Sequence, residues 1–474
     1  MDLLSLSASD LSRMIAERAV APSEVMAAHL ARVAAVNPAI NAIVSQPDPD
    51  ALMAAARAAD DAPRAGWLHG IPFAVKDLVA TRGLRTTWGS PVFADHVPDA
   101  DDLLAARLRG AGAIFTGKTN TPEWGHGSHT FNPVFGATRN PYDRSRSAGG
   151  SSGGAAAALA ARMVWVADGS DMMGSLRNPA AFCNVYGFRP TWGLVPADPA
   201  AGPSDDTFLS TLATEGPMAR CPEDLARLLA VMAGPAAGTP FGRAPGDVAA
   251  GLDRSARGLR IGWLGDWGGA YATEPGILAQ GEAALRVLEG LGAVVEPVPP
   301  PFPAADLWFA WTTLRAMLNA GSRGTLAADP ATRARLKPET LWEIDEGAGL
   351  TASAVFRASA IRSRWYARLA HLFARFDALA LPAAQVWPFP ADWRWPGAIA
   401  GRAMDTYHRW MEVVVPVSLA GVPCAAIPAG FGAAGLPTGL QRFGATGTDA
   451  AVLGLAQAYH AATGWPGRRP PALA

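Results

Sequence analysis

The sequence predicts an α/β protein, and three stretches carry that expectation. Gly258-Leu-Arg-Ile-Gly-Trp263 reads as a strand, Glu274 to Leu291 as an amphipathic helix closed by Gly292, and Val294-Val-Glu-Pro-Val298 as a second strand, the order of a right-handed crossover unit. Gly70-Ile-Pro-Phe-Ala-Val-Lys76-Asp77 is an apolar run ending in a lysine, a buried strand with a charge at its tip. Cys424-Ala-Ala-Ile-Pro428 and Gly435-Leu-Pro-Thr-Gly-Leu-Gln441 read as strands joined by a turn, followed by a closing helix from Asp449 to Thr463 with Thr448 or Asp449 as its cap.

Composition bounds the function classes. The chain has 474 residues, is half hydrophobic and carries a formal net charge of −1, so it lacks the electrostatic footprint of a nucleic-acid or anionic-membrane binder. Its length alone would allow two or three domains. No stretch approaches the roughly 20 consecutive apolar residues that span a bilayer. Cys183, Cys221 and Cys424 are odd in number and widely spaced, which gives neither a disulfide framework nor a zinc signature and suits a reducing cytoplasm. Cys183 as a nucleophile competes with the commoner role of free cysteine as a small buried hydrophobe.

Taken in order, the N-terminus lacks the basic region and apolar core of a signal peptide, and Ser9 or Asp10 is placed to cap a first helix. Val25, Met26, Leu30 and Val33 recur at helical spacing, which predicts a second helix from Pro22 to Val36, before Asn37-Pro38. Residues 112–119 match the pattern G-x-x-x-x-G-K-[ST], but the apolar strand Ala113-Ile-Phe115 lies between the glycines and Asn120-Thr-Pro122 stands where a helix should start, so the context of a phosphate loop fails. Glu123, His126 and His129 are spaced as metal ligands on a helix could be. Two glycines make that segment a loop and no further ligand cluster accompanies it, which favours loop histidines in solvent or at a pocket over a metal site.

Ser147-Ala-Gly-Gly-Ser151-Ser-Gly-Gly154 and Gly169-Ser-Asp-Met-Met-Gly-Ser175 are two glycine-containing turns separated by an Ala-rich apolar segment, a buried helix leading into a short strand. Glycine lets backbone approach a ligand closely, so such turns can aim hydroxyls and converging N–H groups at one anion. The same composition also suits a plain loop or linker. Lys76 sharpens the reading, because a lysine at the end of a buried strand has its charged form disfavoured and its pKa lowered toward that of a base; the bland alternative is a lysine snorkelling to the surface.

The downstream half is punctuated differently. Between about 200 and 260, Pro- and Gly-rich segments surround one clear helix, Pro222 to Met232, started by an acidic first turn. Residues 302–411 hold Trp308, Trp311, Trp342, Trp365, Trp387, Trp393, Trp395 and Trp410, half of the sixteen tryptophans in the chain. Some are core residues; the Pro-, Gly- and Trp-rich stretch from Ala383 to Ala400 reads as a long loop of the kind that covers a binding site.

Together, Gly-Gly-Ser-Ser-Gly-Gly, the Lys76 segment, Gly174 to Cys183 (Gly-Ser-Leu-Arg-Asn-Pro-Ala-Ala-Phe-Cys) and Gly187-Phe-Arg-Pro-Thr-Trp-Gly193 resemble the amidase signature family of serine hydrolases. Leu68-His-Gly-Ile-Pro72, Gly117-Lys-Thr-Asn-Thr-Pro122, Thr138-Arg-Asn-Pro141, Gly216-Pro-Met-Ala-Arg220 and Ala420-Gly-Val-Pro423 extend the resemblance in family order over most of the chain. It implies one large domain with a central mixed, twisted β-sheet covered by helices on both faces. Residues 1–60 would be N-terminal helices, 65–225 the signature core, 226–415 a variable part that shapes the substrate pocket, and 416–474 the C-terminal strands and helix.

The resemblance also implies chemistry: an acyl-enzyme amidohydrolase without a cofactor or metal, acting as a monomer or homodimer on a small amide or carbamate, since layout is similar to that of urethane-cleaving bacterial amidases. Ser175 matches the nucleophile, Ser151 a bridging serine in a cis peptide, and Lys76 the base. Ser152 and Ser170 match hydroxyls of the surrounding network, Asp171 and Arg177 a charged pair that fixes the nucleophile turn. The amides of Met172, Met173, Gly174 and Ser175 match the oxyanion hole, with Met173 where the family usually has glycine. Trp124, His126, His129, Trp308, Trp311, Trp393 and Trp395 are candidates to line a pocket for bulky apolar amides, with anilides as the natural probe. The alternatives are the glutamine-hydrolysing A subunit of a glutamyl-tRNA amidotransferase, or a catalytically silent binding protein on the same scaffold.

Overall fold

In the computed structural model, which describes residues 2–197 and 207–473, eleven strands carry the fold. A small sheet holds β1 (Ile43–Val44), β2 (Pro72–Lys76) and β3 (Ile114–Thr119); the large one holds β4 (Val166–Asp171), β5 (Tyr186–Arg189), β6 (Thr214–Ala219), β7 (Arg260–Trp263), β8 (Val294–Pro297), β9 (Ala378–Pro382), β10 (Cys424–Phe431) and β11 (Pro437–Phe443). The eight strands lie in the order β8-β7-β9-β11-β10-β5-β6-β4. β7 pairs in parallel with β8 and with β9, and every other pair in this sheet is antiparallel, so the sheet is mixed.

Alternation along the strands explains why helices cover both faces. On β9, Ala378 and Ala380 belong to one apolar cluster, with Ile261 and with Leu285 and Leu288 of α6; Leu379 and Leu381 belong to another, with Leu307, Trp311 and Leu314 of α7 and Ile361 and Trp365 of α9. The helices used below are α1 (Ala8–Ala16), α2 (Pro22–Ile40), α3 (Gly153–Ala160), α4 (Arg177–Cys183), α5 (Pro222–Met232), α6 (Ile277–Gly290), α7 (Ala304–Ala328), α8 (Pro338–Ala348), α9 (Ala352–Phe373), α10 (Val415–Ala420) and α11 (Asp449–Thr463). The crossover unit falls where the sequence puts it, as do α5 and α11, whose limits coincide with those read from the pattern.

Three local expectations are corrected, and the cap position expected for α11 holds. The cap of α1 is Ser7, whose Oγ accepts from the Asp10 amide over 3.0 Å, while Ser9 Oγ donates to Asp224. α2 runs through Pro38 to Ile40, because a left-handed Asn41 (φ 57°) ends it and the Asn37 side chain satisfies the amides of Ala42 and Ile43 beyond. In the phosphate-loop lookalike, β3 continues through Gly117, Lys118 and Thr119, and Lys118 Nζ donates to the Val79 carbonyl and to Thr81. The capping site of α11 is Thr448, but its hydroxyl donates to the Ala445 carbonyl and makes no cap bond; the Asp449 carboxylate accepts from Thr191 instead.

Candidate active site

Strand β2 delivers Lys76 to the interior, fully buried. Its amide donates to the Asp168 carboxylate on β4 at 3.0 and 3.2 Å, which ties the small sheet to the edge of the large one. Its Nζ lies 2.9 Å from Ser151 Oγ, 2.8 Å from Ser152 Oγ and 3.0 Å from Ser170 Oγ. Burial pushes the Lys76 pKa down to about 7, against the pull of the Asp168, Asp171 and Glu215 carboxylates. The peptide bond between Gly150 and Ser151 is cis. At Gly154, where α3 starts, a Cβ would lie 2.3 Å from the Asn120 amide nitrogen, so only glycine lets the serine turn pack this close to the strands.

The second turn is braced by one carboxylate. Asp171, at the end of β4, accepts from the amides of Gly174 (2.9 Å) and Leu176 (3.2 Å) and from Arg177 Nε and Nη2 (2.9 Å each), with Arg189 Nε 3.6 Å away. Burial alone would raise this carboxyl; the two guanidiniums overcome that and hold it at about 2. Arg177 in turn donates to the Val414 carbonyl, Gln441 Oε1 and Ser418 Oγ, so the start of α4 is locked to β11 and α10. Gly174 sits at φ +79° with Asn178 and Val414 against it.

A cavity of about 160 Å³ opens beside this turn. Ser151, Ser170, Met172, Met173 and Ser175 form one side; Leu78, Ala213 and Met411 add apolar surface; Trp124 and His126, and Arg315, Asn319 and Arg323 of α7, close the rest. Among the described residues the amides of Met172, Met173 and Ser175 donate to no protein group. That of Gly174 is taken by Asp171, which removes it from the four expected oxyanion donors. The site therefore combines a buried amine among hydroxyls with backbone N–H groups beside a small cavity, a set suited to acyl transfer.

The amidase family model matches residues 24–453. The chain belongs to the amidase family. It is 34% identical to an acylamidase of Rhodococcus erythropolis, covering 98% of this chain and 97% of that one. It is 35% identical to the A subunit of the glutamyl-tRNA(Gln) amidotransferase of Chloroflexus aurantiacus, covering 94% of each. Its fold is similar to that of a bacterial aryl acylamidase of the amidase signature enzymes, with a TM-score of 0.89 and 28% identity over 98% of this chain and 99% of that one.

This amidase is an amidohydrolase of small-molecule amides, and among the described residues no helix is long and apolar enough to cross a membrane. Of the expected pocket residues, Trp124 and His126 line the cavity. Trp308 does not: it lies in the core against His408, with Arg409 over its ring. Trp311 is fully buried behind the turn, in the core, and its indole Nε1 donates to Met173 Sδ. Trp393 is 49% exposed on an outer groove with Trp387 and Phe389, and Trp395 packs toward Tyr407. The stretch from Ala383 to Ala400 thus contributes none of its tryptophans to the cavity.

His126 and His129 are both buried, not solvated loop residues, and the would-be metal set diverges. Glu123 accepts from Ser90, Lys337 and Thr340; His126 pairs with Thr340 and Asn319; His129 pairs with Ser147 and the Ala391 carbonyl, outside the cavity. The reason is Trp124, whose left-handed turn (φ +52°) sends the two sides of the loop apart. Cys183 is likewise buried, its thiol pushed up by desolvation and close to the Ala148 carbonyl, which fits the hydrophobe.

Arg315, Asn319 and Arg323 escaped the sequence reading. Their signal was an i, i+4, i+8 polar stripe on a helix otherwise noted for its tryptophans. Arg315 forms an ion pair with Glu343 of α8, joined by Tyr407, whose hydroxyl donates to Glu343 over 2.6 Å; the guanidinium holds the Glu343 carboxyl at about 2 despite burial.

Proposed function

We propose that this amidase cleaves bulky apolar or aryl amides, and carbamates by the same carbonyl chemistry, through an acyl-enzyme on Ser175. The observation that carries the reading is the Lys76 amine within 2.9 Å of Ser151 Oγ, in the wall that Ser151 shares with Ser175. With its pKa near 7, Lys76 is neutral in a large fraction of molecules at physiological pH and accepts a proton from Ser151 as Ser151 takes one from Ser175. Ser175 Oγ attacks the carbonyl carbon. The oxyanion forms beside the amides of Met172, Met173 and Ser175, which donate to no protein group among the described residues. As the C–N bond breaks, the relay returns the proton to the leaving nitrogen, and water resolves the acyl-enzyme by the same route. No step calls on a cofactor. Asp171 and Arg177 hold the turn, and Ser152 and Ser170 orient the amine.

A second reading, a glutamine-hydrolysing amidotransferase component, draws on the polar stripe of α7 and on the 35% identity to such a protein. Met173 and the apolar wall of Leu78, Met172 and Met411 favour the first. The test is aniline release from an anilide and from an aryl urethane by the purified chain alone, beside Ser175→Ala, with fluorophosphonate labelling of both proteins. Turnover and labelling lost in the variant support the reading. Glutamine hydrolysis with inert anilides would transfer the site to the second, activity undiminished in Ser175→Ala would remove the nucleophile, and an inert, unlabelled wild type would leave only a binding scaffold.

A further inference from the structure

We propose that a second cavity, separate from that of Ser175 and floored by Arg442, binds a carboxylic acid with an apolar body, the chemical class that amide hydrolysis releases.

Arg442 is out of keeping with its surroundings. On β11 it stands opposite Ala380 of β9 and Ala425 of β10, and both alanines belong to the apolar cluster that also holds Leu285 of α6 and Leu455 of α11. Residues directly opposite on neighbouring strands share a face, so this arginine occupies an apolar layer. It is fully buried. Nη2 donates to the Val452 carbonyl over 3.0 Å, whereas Nε and Nη1 have no hydrogen-bond partner among the described residues. A buried guanidinium left partly unsatisfied is costly unless an anion answers it. Burial pushes the Arg442 pKa down to about 9, opposed by Cys424, Tyr186 and Tyr459, and burial keeps those three uncharged at neutral pH.

The cavity that Arg442 lines measures about 580 Å³, a volume typical of small-ligand sites, and shares no lining residue with that of Ser175. Arg442 is its buried floor, and two exposed arginines, Arg254 and Arg375, stand at its rim. Among the described residues one carboxylate lines it, that of Asp377, which accepts from the Arg260 amide over 2.8 Å, so three guanidiniums face one acid. The start of α11 adds donors. Thr448, Ala451 and Val452 are in the wall, the Thr448 hydroxyl donates to the Ala445 carbonyl instead of capping, and the amides of Ala450 and Ala451 donate to no protein group among the described residues. A helix N-terminus with unspent N–H groups favours an anion. Leu259, Phe373, Phe376 and Leu455 make the rest of the wall apolar. A carboxylate on a hydrocarbon body suits that mixture, because a dianionic phosphate would give up more hydration against it.

Calorimetry on the purified chain compares 3-phenylpropionate, 3-phenylpropan-1-ol and inorganic phosphate at neutral pH. The acid is expected to bind at least about tenfold more tightly than the alcohol or phosphate, the scale of a hydrogen bond to a charged group. Ser175→Ala, altered in the other cavity, should bind it as the wild type does. In Arg442→Leu the preference for acid over alcohol falls below about threefold, and in Arg254→Gln/Arg375→Gln it is intermediate. Melting temperatures check that each variant is folded, and the rim variant decides the matter if Arg442→Leu does not fold. No binding at millimolar concentration, equal affinities for acid and alcohol, or phosphate bound as tightly as the acid would each overturn the proposal. So would a preference that survives Arg442→Leu, one undiminished in the rim variant, or acid binding lost in Ser175→Ala, which would place the acid in the catalytic cavity.

Discussion

The indole Nε1 of Trp311 donates to the sulfur of Met173 over 3.2 Å, and one turn later on α7 the Arg315 guanidinium approaches the sulfur of Met172 at the same distance. One face of a helix in the tryptophan-rich half thus grips both methionines of the turn that ends in Ser175. Trp311→Phe should lower kcat by about 2- to 10-fold, the scale of one net hydrogen bond. The effect should shrink in a Met173→Leu background if it acts through the sulfur. A double-mutant cycle in kcat, with melting temperatures alongside, measures this, and additive effects would show that Trp311 is only core.

Activity should rise with pH through about 7, as Lys76 loses its proton. Stability follows the same sign. The folded pKa is depressed from 10.5 to about 7, so the unfolded chain binds the extra proton between those values, and the cost of burying the amine, full below about 7, is relieved as pH rises toward 10.5. In Lys76→Met that pH-dependent contribution should vanish together with activity. A pH series of kcat/KM and of denaturant midpoints checks both.

Asp171→Asn should destabilise the fold by about 3–5 kcal/mol, since it leaves Arg177 and Arg189 buried without their carboxylate. For the native protein the sign is that of a depressed acid: the pairing contributes above the ordinary carboxyl value of 3.8 and is lost as pH falls through about 2. Urea unfolding of variant and wild type at neutral pH, and of the wild type down the acid limb, reads both.

Gly174→Ala should cost about 1–3 kcal/mol. Its φ of +79° disfavours any side chain, and a Cβ would stand 2.9 Å from Asn178 Nδ2 and 3.0 Å from the Val414 methyls. The damage should appear in kcat more than in KM, because the residue is next to Ser175 and its amide is one of the two that Asp171 fixes. Steady-state kinetics on one anilide separates the two.

Much of the architecture was legible because local pattern and fold agree. α5 starts at a proline after an extended residue, α11 ends at a left-handed Gly464, and the β7, α6, β8 unit alternates as a crossover must. Lys76, Ser151 and Ser175 were picked out by glycine-flanked turns and by an apolar strand that ends in a lysine, features that sit in short stretches of chain. The aromatic pocket was not legible in the same way. Trp308 and Trp311 share a helix with Arg315, Asn319 and Arg323, and composition cannot say which turns of α7 border the cavity and which are enclosed in the core.

What the sequence by itself determined is the family and the α/β sheet, together with the residues proposed to carry the chemistry, because these depend on turn glycines, strand alternation and a few fixed spacings. Tertiary structure alone decided the surroundings of that chemistry. Lys76 meets three serine hydroxyls brought from two other segments, Asp171 takes the Gly174 amide out of the expected oxyanion set, and along α7 the early turns with Trp308 and Trp311 are enclosed in the core while Arg315, Asn319 and Arg323 farther on border the cavity. Desolvation and close packing act between elements far apart in the chain, and no local pattern records the distance at which they meet.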